Sequence, residues 1–97
     1  MPVRWTKEAA EDLEALLLYV AQRSPAARAH VADRIQHTLD DIASFPRAAR
    51  FDDETRTHEV VVRGLPLLII YGVTDVFVEI IAVFHTARDP KMKHSRS

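Results

Sequence analysis

The 97-residue chain contains no cysteine, which removes disulfides, thiolate zinc sites and cysteine nucleophiles from consideration. That fits a reducing compartment, and the cytoplasm is the expected location. Only two glycines are present, Gly64 and Gly72, so neither a phosphate-cradling loop nor a dinucleotide fingerprint is available in its usual form. There is no Gly-x-Ser-x-Gly elbow, and a Ser/His/Asp set can be assembled only by free choice among Ser24, Ser44 and the tail. The longest apolar run, Leu65 to Tyr71, is far short of the roughly 20 residues that a membrane span requires. The opening Met-Pro-Val-Arg-Trp lacks the apolar centre of a signal peptide. An excess of one charge is also missing: the net charge is −1 and the pI about 6.5, which gives no global pull toward nucleic acid or a membrane.

What the chain does have is a stretch from Arg56 to Pro90 that reads as three consecutive strands. Gly64-Leu65-Pro66 and Thr74-Asp75 supply the two turns. Period-two alternation sorts the faces, because successive side chains of a strand point to opposite sides. In the last strand Val76, Val78, Ile80, Ala82 and Phe84 form an uncharged row, expected to be the core wall. The opposite row is Phe77, Glu79, Ile81, Val83 and His85, and in the first strand Val60 and Val62 separate from Glu59, Val61 and Arg63. A face holding Val61, Phe77, Ile81 and Val83 among charges is too apolar to stay wet, so it is expected to meet a partner.

Upstream, Val3 and Trp5 flank Arg4 in a short predicted strand, and Thr6 is placed to cap a helix from Lys7 to about Gln22. Leu13, Leu16, Leu17, Val20 and Ala21 give its buried stripe. Ser24-Pro25 restarts the helical pattern; Ala27, Val31, Ile35, Leu39, Ile42 and Phe45 form the second stripe, which Pro46 stops. The expected fold is α+β, in the order β-α-α-β-β-β, with a helical hairpin packed on a small antiparallel sheet. One domain is expected over residues 1–90, with a basic tail over 91–97. His30, Asp33, Arg34, His37, Asp40 and Asp41 fall off the apolar stripe and read as a solvated face, not a metal site. Residues 47–54 read as a polar, exposed loop.

Chemistry-bearing residues are few. His85 and Arg88 end the last strand, where Arg63, Glu59, Glu79 and Tyr71 can gather; a histidine base with phosphate-holding arginines would suit ribonuclease chemistry. The structural alternative has His85 bonded to a backbone carbonyl and Arg63 paired with Glu59 or Glu79. The cluster of Arg88, Lys91, Lys93 and Arg96 reads first as a solvated tail, the commoner case for such a run, and is a nonspecific signal for nucleic-acid contact.

Taken in order, Trp5, Ala9-Ala10-x-Asp12-Leu13, Tyr19-Val20-Ala21, Ser24-Pro25-x-Ala27, Ile35, Ile42, Phe45-Pro46 and Arg50 resemble the ParE branch of the RelE/ParE toxin superfamily. Arg56-x-x-x-Val60-Val61, Ile69-Ile70-Tyr71, Val78-x-Ile80 and Val83-x-His85-x-x-Arg88 continue the resemblance over nearly the whole chain. It implies the toxin half of a bacterial type II toxin–antitoxin module, of the plasmid-stabilisation kind, neutralised by a ParD-like antitoxin whose C-terminal segment wraps the toxin. ParE-like members are similar to proteins that poison DNA gyrase; RelE-like members cut messenger RNA on the ribosome. Leu68 stands where the ribonucleases carry arginine, Glu59 and Val61 where they carry lysines, and no tyrosine follows His85. Ala49, Leu67, Gly72 and Ala82 also replace residues common in ParE-like sequences.

The resemblance therefore implies a binding toxin directed at gyrase, with Arg50, Arg56, Arg63, His85 and Arg88 as target contacts and Val61, Phe77, Ile81 and Val83 as antitoxin contacts. A ribonuclease using His85 and Arg88 is the enzyme-class alternative, and a non-toxic module that only binds its antitoxin is a third. No cofactor or metal is expected, no membrane partner, and operator DNA only through the antitoxin.

Overall fold

Thr6 sets the geometry of the N-terminal third. Its Oγ1 accepts the Ala9 amide at 3.1 Å and so caps helix α1, Lys7–Arg23. The same residue reaches the sheet, its amide donating to the Ile80 carbonyl at 3.0 Å and its hydroxyl to the Ile81 carbonyl at 3.3 Å. Ser24 works in both directions as well. Its amide closes α1 on the Val20 carbonyl at 3.1 Å, while its Oγ accepts the Ala27 amide at 3.2 Å and opens helix α2, Pro25–Ser44. With one residue ending one helix and starting the next, the two must fold back as a hairpin. Phe45 donates to the Asp41 carbonyl at 2.8 Å, and Pro46 allows no further turn.

This computed structural model describes residues 1–86. Arg88, the basic cluster from Lys91 to Arg96 and the expected domain end at residue 90 lie outside the described residues. Among the described residues five strands form one sheet in the order β1-β5-β4-β3-β2: β1 Val3–Trp5, β2 Arg50–Asp52, β3 Thr57–Val61, β4 Leu67–Val73 and β5 Val78–His85. Gly64, at φ 80°, supplies the left-handed residue of the β3–β4 turn. The architecture is α+β, with the two helices covering one face of the sheet.

Two features correct the expected topology. Residues 50–52 are not loop but a short edge strand, paired antiparallel with Thr57–Glu59. The sheet is also mixed, because β1 pairs parallel with β5, Val3 opposite Val78 and Trp5 opposite Ile80. No hairpin joins β1 to β5; the helical hairpin and three further strands intervene, and such a connection leaves parallel pairing open.

A third correction concerns the faces. Tyr71 pairs with Ile80 but Ile70 pairs with Ala82, so Ile81 is an extra, bulged residue and the alternation reverses beyond it. Val83, 6% exposed, therefore joins Val78, Ile80, Leu67, Ile69 and Val62 in the core, and His85 follows it to the helix side. Ala82 and Phe84 fall on the outer face, opposite to the expected arrangement. Val76 stands 67% exposed in the β4–β5 turn.

The first turns of α1 hold the bulge. β1 covers only the first part of β5, and past its end Asp12 of α1 accepts the Val83 amide at 3.3 Å. Replacing Asp12 with alanine leaves that half-buried amide without a partner. The expected cost is about 1–3 kcal/mol, read as a lower urea midpoint, with Asp12→Asn losing clearly less.

Candidate functional site

A row of rings crosses the helix side of the sheet. Phe51 of β2, His58 of β3 and Tyr71 of β4 stand opposite one another in register. His58 lies 4.9 Å from Phe51 and stacks on Tyr71 at 5.1 Å, with 13° between the latter planes. Both inner rings tie down the chain that follows α2. The Tyr71 hydroxyl donates to the Pro46 carbonyl at 2.8 Å, and His58 Nδ1 lies 3.1 Å from the Ala49 carbonyl, an arrangement that requires Nδ1–H as donor. His58 was not among the residues singled out in the sequence. Its in-phase position with Val60 and Val62 in Thr-His-Glu-Val-Val-Val is the signal that marks it as inward-facing.

The burial that encloses Tyr71 raises its phenol pKa above the ordinary value of 10.0. The folded chain thus holds this proton more tightly than the unfolded chain. Its contribution is intact below the unfolded pKa and is lost as pH rises through the folded one. Stability should therefore fall from about pH 10 upward, and Tyr71→Phe should flatten that part of a denaturation-midpoint profile.

The braced segment forms one wall of a groove. About 370 Å³ of open volume lies between the end of α2, residues 45–49 and the far end of β3. Ile42, Phe45, Ala48, Ala49, Val60, Val61 and Tyr71 give it an apolar lining, with Thr38, Asp41 and Arg63 at the polar side. Phe45 is 69% exposed and Val61 56%, which leaves apolar surface open to solvent beside it. A second recess of about 250 Å³, lined by Arg34, His37, Thr38, Asp41 and Arg63, adjoins the first. Arg34 Nε and Nη2 both donate to the Arg63 carbonyl, at 3.2 and 3.1 Å, and tie the β3–β4 turn to α2.

The expected target contacts are dispersed. Arg63 lies at the groove. Arg50 is on the outer face of the edge strand β2, opposite Glu59. Arg56 takes the left-handed conformation, φ 60°, with its guanidinium 5.4 Å from the Phe51 ring centre and 4.0 Å from the Asp53 carboxylate. His85 sits beyond β4 from Arg63, and its Nδ1 is buried without a hydrogen-bond partner among the described residues. The expected alternative, a bond from His85 to a backbone carbonyl, is thus absent at that atom. No ion pair joins Arg63 to Glu59 or Glu79 among the described residues.

Of the expected antitoxin contacts, Val61, Phe77 and Ile81 keep solvent access. Val83 does not, because the bulge turns it inward. Phe77 lies under the Arg4 guanidinium at 4.5 Å, and Ile81 Cδ1 lies 3.6 Å from the place a Cβ on Gly72 would take. The outer face therefore carries apolar groups between the carboxylates of Glu59 and Glu79 and the guanidinium groups of Arg4 and Arg50. On α2, His30, Asp33, His37, Asp40 and Asp41 are exposed, with His37 3.5 Å from Asp33. None of the described helices is long and apolar enough to cross a membrane.

Comparison with known proteins agrees with this geometry. The family described as "ParE toxin of type II toxin-antitoxin system, parDE" matches residues 3–90. The chain is similar to Toxin RelE2 of Caulobacter vibrioides, 37% identical over 86 residues that cover 89% of this chain and 96% of the relative. It is also similar to Y4kP of Sinorhizobium fredii, 32% identical over 83 residues covering 86% of this chain and 85% of that protein. A solved structure titled "Chromosomal ParDE TA system from P. aeruginosa" superposes with a TM-score of 0.73 at 20% identity, covering 86% of this chain and 92% of that one; it shares the fold. With a family match over nearly the full length and a close relative spanned almost end to end, the chain belongs to the ParE toxin family of type II toxin–antitoxin systems.

Proposed function

We propose that this toxin acts in the cytoplasm by binding DNA gyrase, not by cutting RNA. The observation that carries the reading is the chemistry of the outer sheet face. A scissile phosphate needs convergent cations to hold its charge in the transition state. At the positions where the ribonuclease branch carries cations, this chain has Glu59, Val61 and Leu68, and Leu68 is 2% exposed. Glu59 and Glu79 would repel an RNA backbone there. His85 offers no substitute site, since its ring turns to the helix side with Nδ1 sealed from solvent. Surfaces that combine exposed apolar groups with scattered arginines suit protein recognition, where arginine and aromatic residues anchor contacts.

The test is purified toxin, freed of its antitoxin, added to gyrase with plasmid DNA and ATP, with ribosome-bound message in parallel. Loss of supercoiling and accumulation of cleaved DNA, with intact message, is the expected result. Intact DNA with codon-placed cuts in the message would overturn the reading and return His85 and Arg88 to the centre of an RNA site. The antitoxin is proposed to cover Val61, Phe77 and Ile81. Phe77→Ser with Ile81→Ser should weaken antitoxin binding at least tenfold while moving the urea midpoint little. Equal losses in both would make this face part of the core.

A further inference from the structure

The turn between β2 and β3 is tied more firmly than an exposed tip requires. Asp52 Oδ1 accepts the amides of Glu54 at 2.8 Å and Thr55 at 3.5 Å, and the Asp52 carbonyl accepts the Arg56 amide at 2.8 Å. The hydroxyls of Thr55 and Thr57 lie 2.7 Å apart. Closing the turn puts Arg56 at φ 60°, and among the described residues it is the only one besides glycine with positive φ. Glycine or asparagine takes that conformation at less steric cost, and a residue held there in spite of it points to a side chain with a task.

What the strain secures is the placement of the guanidinium. It lies 5.4 Å from the centre of the Phe51 ring, and that ring, though exposed, is backed by His58 at 4.9 Å and through it by the buried Tyr71. The Asp53 carboxylate stands 4.0 Å from Arg56 with both side chains exposed; an ion pair of that kind is weak, and a partner's carboxylate can replace it. Protein interfaces are enriched in arginine and aromatic residues where their energy is concentrated. These two are ordered before any partner arrives, which lowers the cost of binding. Asp52, Asp53 and Glu54 fill the rest of the tip with carboxylates, which repel a phosphate backbone and leave a protein as the partner that fits.

We infer that the β2–β3 tip is the part of this toxin that engages the gyrase protein, with Phe51 and Arg56 entering an apolar recess that ends in a carboxylate, and basic side chains at its rim meeting Asp53 and Glu54. The inference rests on the gyrase reading above. β2 is the edge of the sheet opposite to β1, so the tip lies apart from Phe77 and Ile81, where the antitoxin is proposed to sit, and Val61 stands at the other end of β3. Target contact and antitoxin contact are therefore separable by substitution.

The experiment measures inhibition of gyrase supercoiling, antitoxin affinity and the urea midpoint on the same variants of the full chain. Arg56→Gly suits the left-handed backbone and removes the guanidinium; Phe51→Leu keeps an apolar group at the edge of the ring row and removes the platform. Each should raise the toxin concentration for half-inhibition at least about tenfold, with antitoxin affinity unchanged and the midpoint of Arg56→Gly moved little. Arg56→Lys keeps the charge but not the planar group, and should recover only part of the loss. Wild-type inhibition in both variants would overturn the tip as the contact and leave gyrase as the target. An equal loss of antitoxin affinity, or a collapsed midpoint in Arg56→Gly, would overturn it in the same way. Plasmid DNA bound without gyrase and released by Arg56→Gly would make the partner nucleic acid and overturn the inference. Gyrase untouched by the wild-type toxin would overturn target and tip together.

Discussion

Insertion of one alanine between Ala82 and Val83 should at least halve the urea midpoint of the domain. The sheet already accommodates Ile81 as an extra residue between Ile80 and Ala82, and Val83 beyond it is in phase with the core at that count. With one more residue, a β5 that kept its pairing with β4 as far as Ala82 would move Val83 to the outer face and force Phe84 inward, since a one-residue slip exchanges the two sides of a strand. Exposing Val83, now 6% accessible, costs about 1.5–3 kcal/mol. Driving a phenylalanine into a space shaped for valine costs a further 1–3 kcal/mol or so. The Asp12 bond to the Val83 amide is displaced as well. Together these approach the roughly 5–15 kcal/mol that hold a small domain together. Urea titration followed by far-ultraviolet circular dichroism reads the loss. Deletion of Ile81, which rejoins Ile80 to Ala82 and leaves every pairing with β4 in phase, should cost far less. An insertion variant with a native midpoint would mean that β5 absorbs the extra residue in a second bulge.

Tyr71→Ala is expected to be the most damaging single substitution in the described chain. Tyr71 is fully buried, stacks on His58 and holds the Pro46 carbonyl. Truncating a buried aromatic costs about 3–5 kcal/mol, which in a domain of this size lowers the melting temperature by roughly 12–40 °C. Tyr71→Phe separates the two contributions, keeping the ring and losing only the hydrogen bond, for about 1 kcal/mol. The amides of residues 47–50 should exchange faster in both variants, because the hydroxyl ties that segment to the sheet. If Tyr71→Phe left those amides unchanged, His58 alone would be sufficient as the brace.

The helices were legible because their ends depend on local chemistry. Thr6, Ser24-Pro25 and Phe45-Pro46 each satisfy or block backbone groups within a few residues, and the structure puts the helix ends within a residue of those signals. β3 was legible from its alternation and β4 as an apolar run bounded by two turns. β2 was not, since the three residues Arg-Phe-Asp are too few to carry a period and become a strand only by pairing with β3. The bulge was equally hidden. Ile80-Ile81-Ala82-Val83 is apolar at every position, so period two runs through it without a visible fault, and Ala82 and Phe84 were set on the wrong side. The groove combines residues from α2, β3, β4 and the intervening chain, and no local pattern announces it. Phe45 and Val61 show why: one ends a helical stripe, the other sits on a sheet face, and only the fold makes them neighbours.

The strand order has a consequence for how the chain is made. β5 is the last of the described strands to leave the ribosome, yet it lies between β1 and β4, and its partner residue Val3 precedes Val78 by 75 positions. At about 5–20 residues per second, roughly 4–15 s of synthesis separate the two. During that interval β1 has no neighbour, and the stripes of both helices lack the central wall formed by Val78, Ile80 and Val83. A nascent toxin is therefore without its finished surface until the final strand arrives, and every shortened product that ends before residue 78 lacks the middle of its sheet.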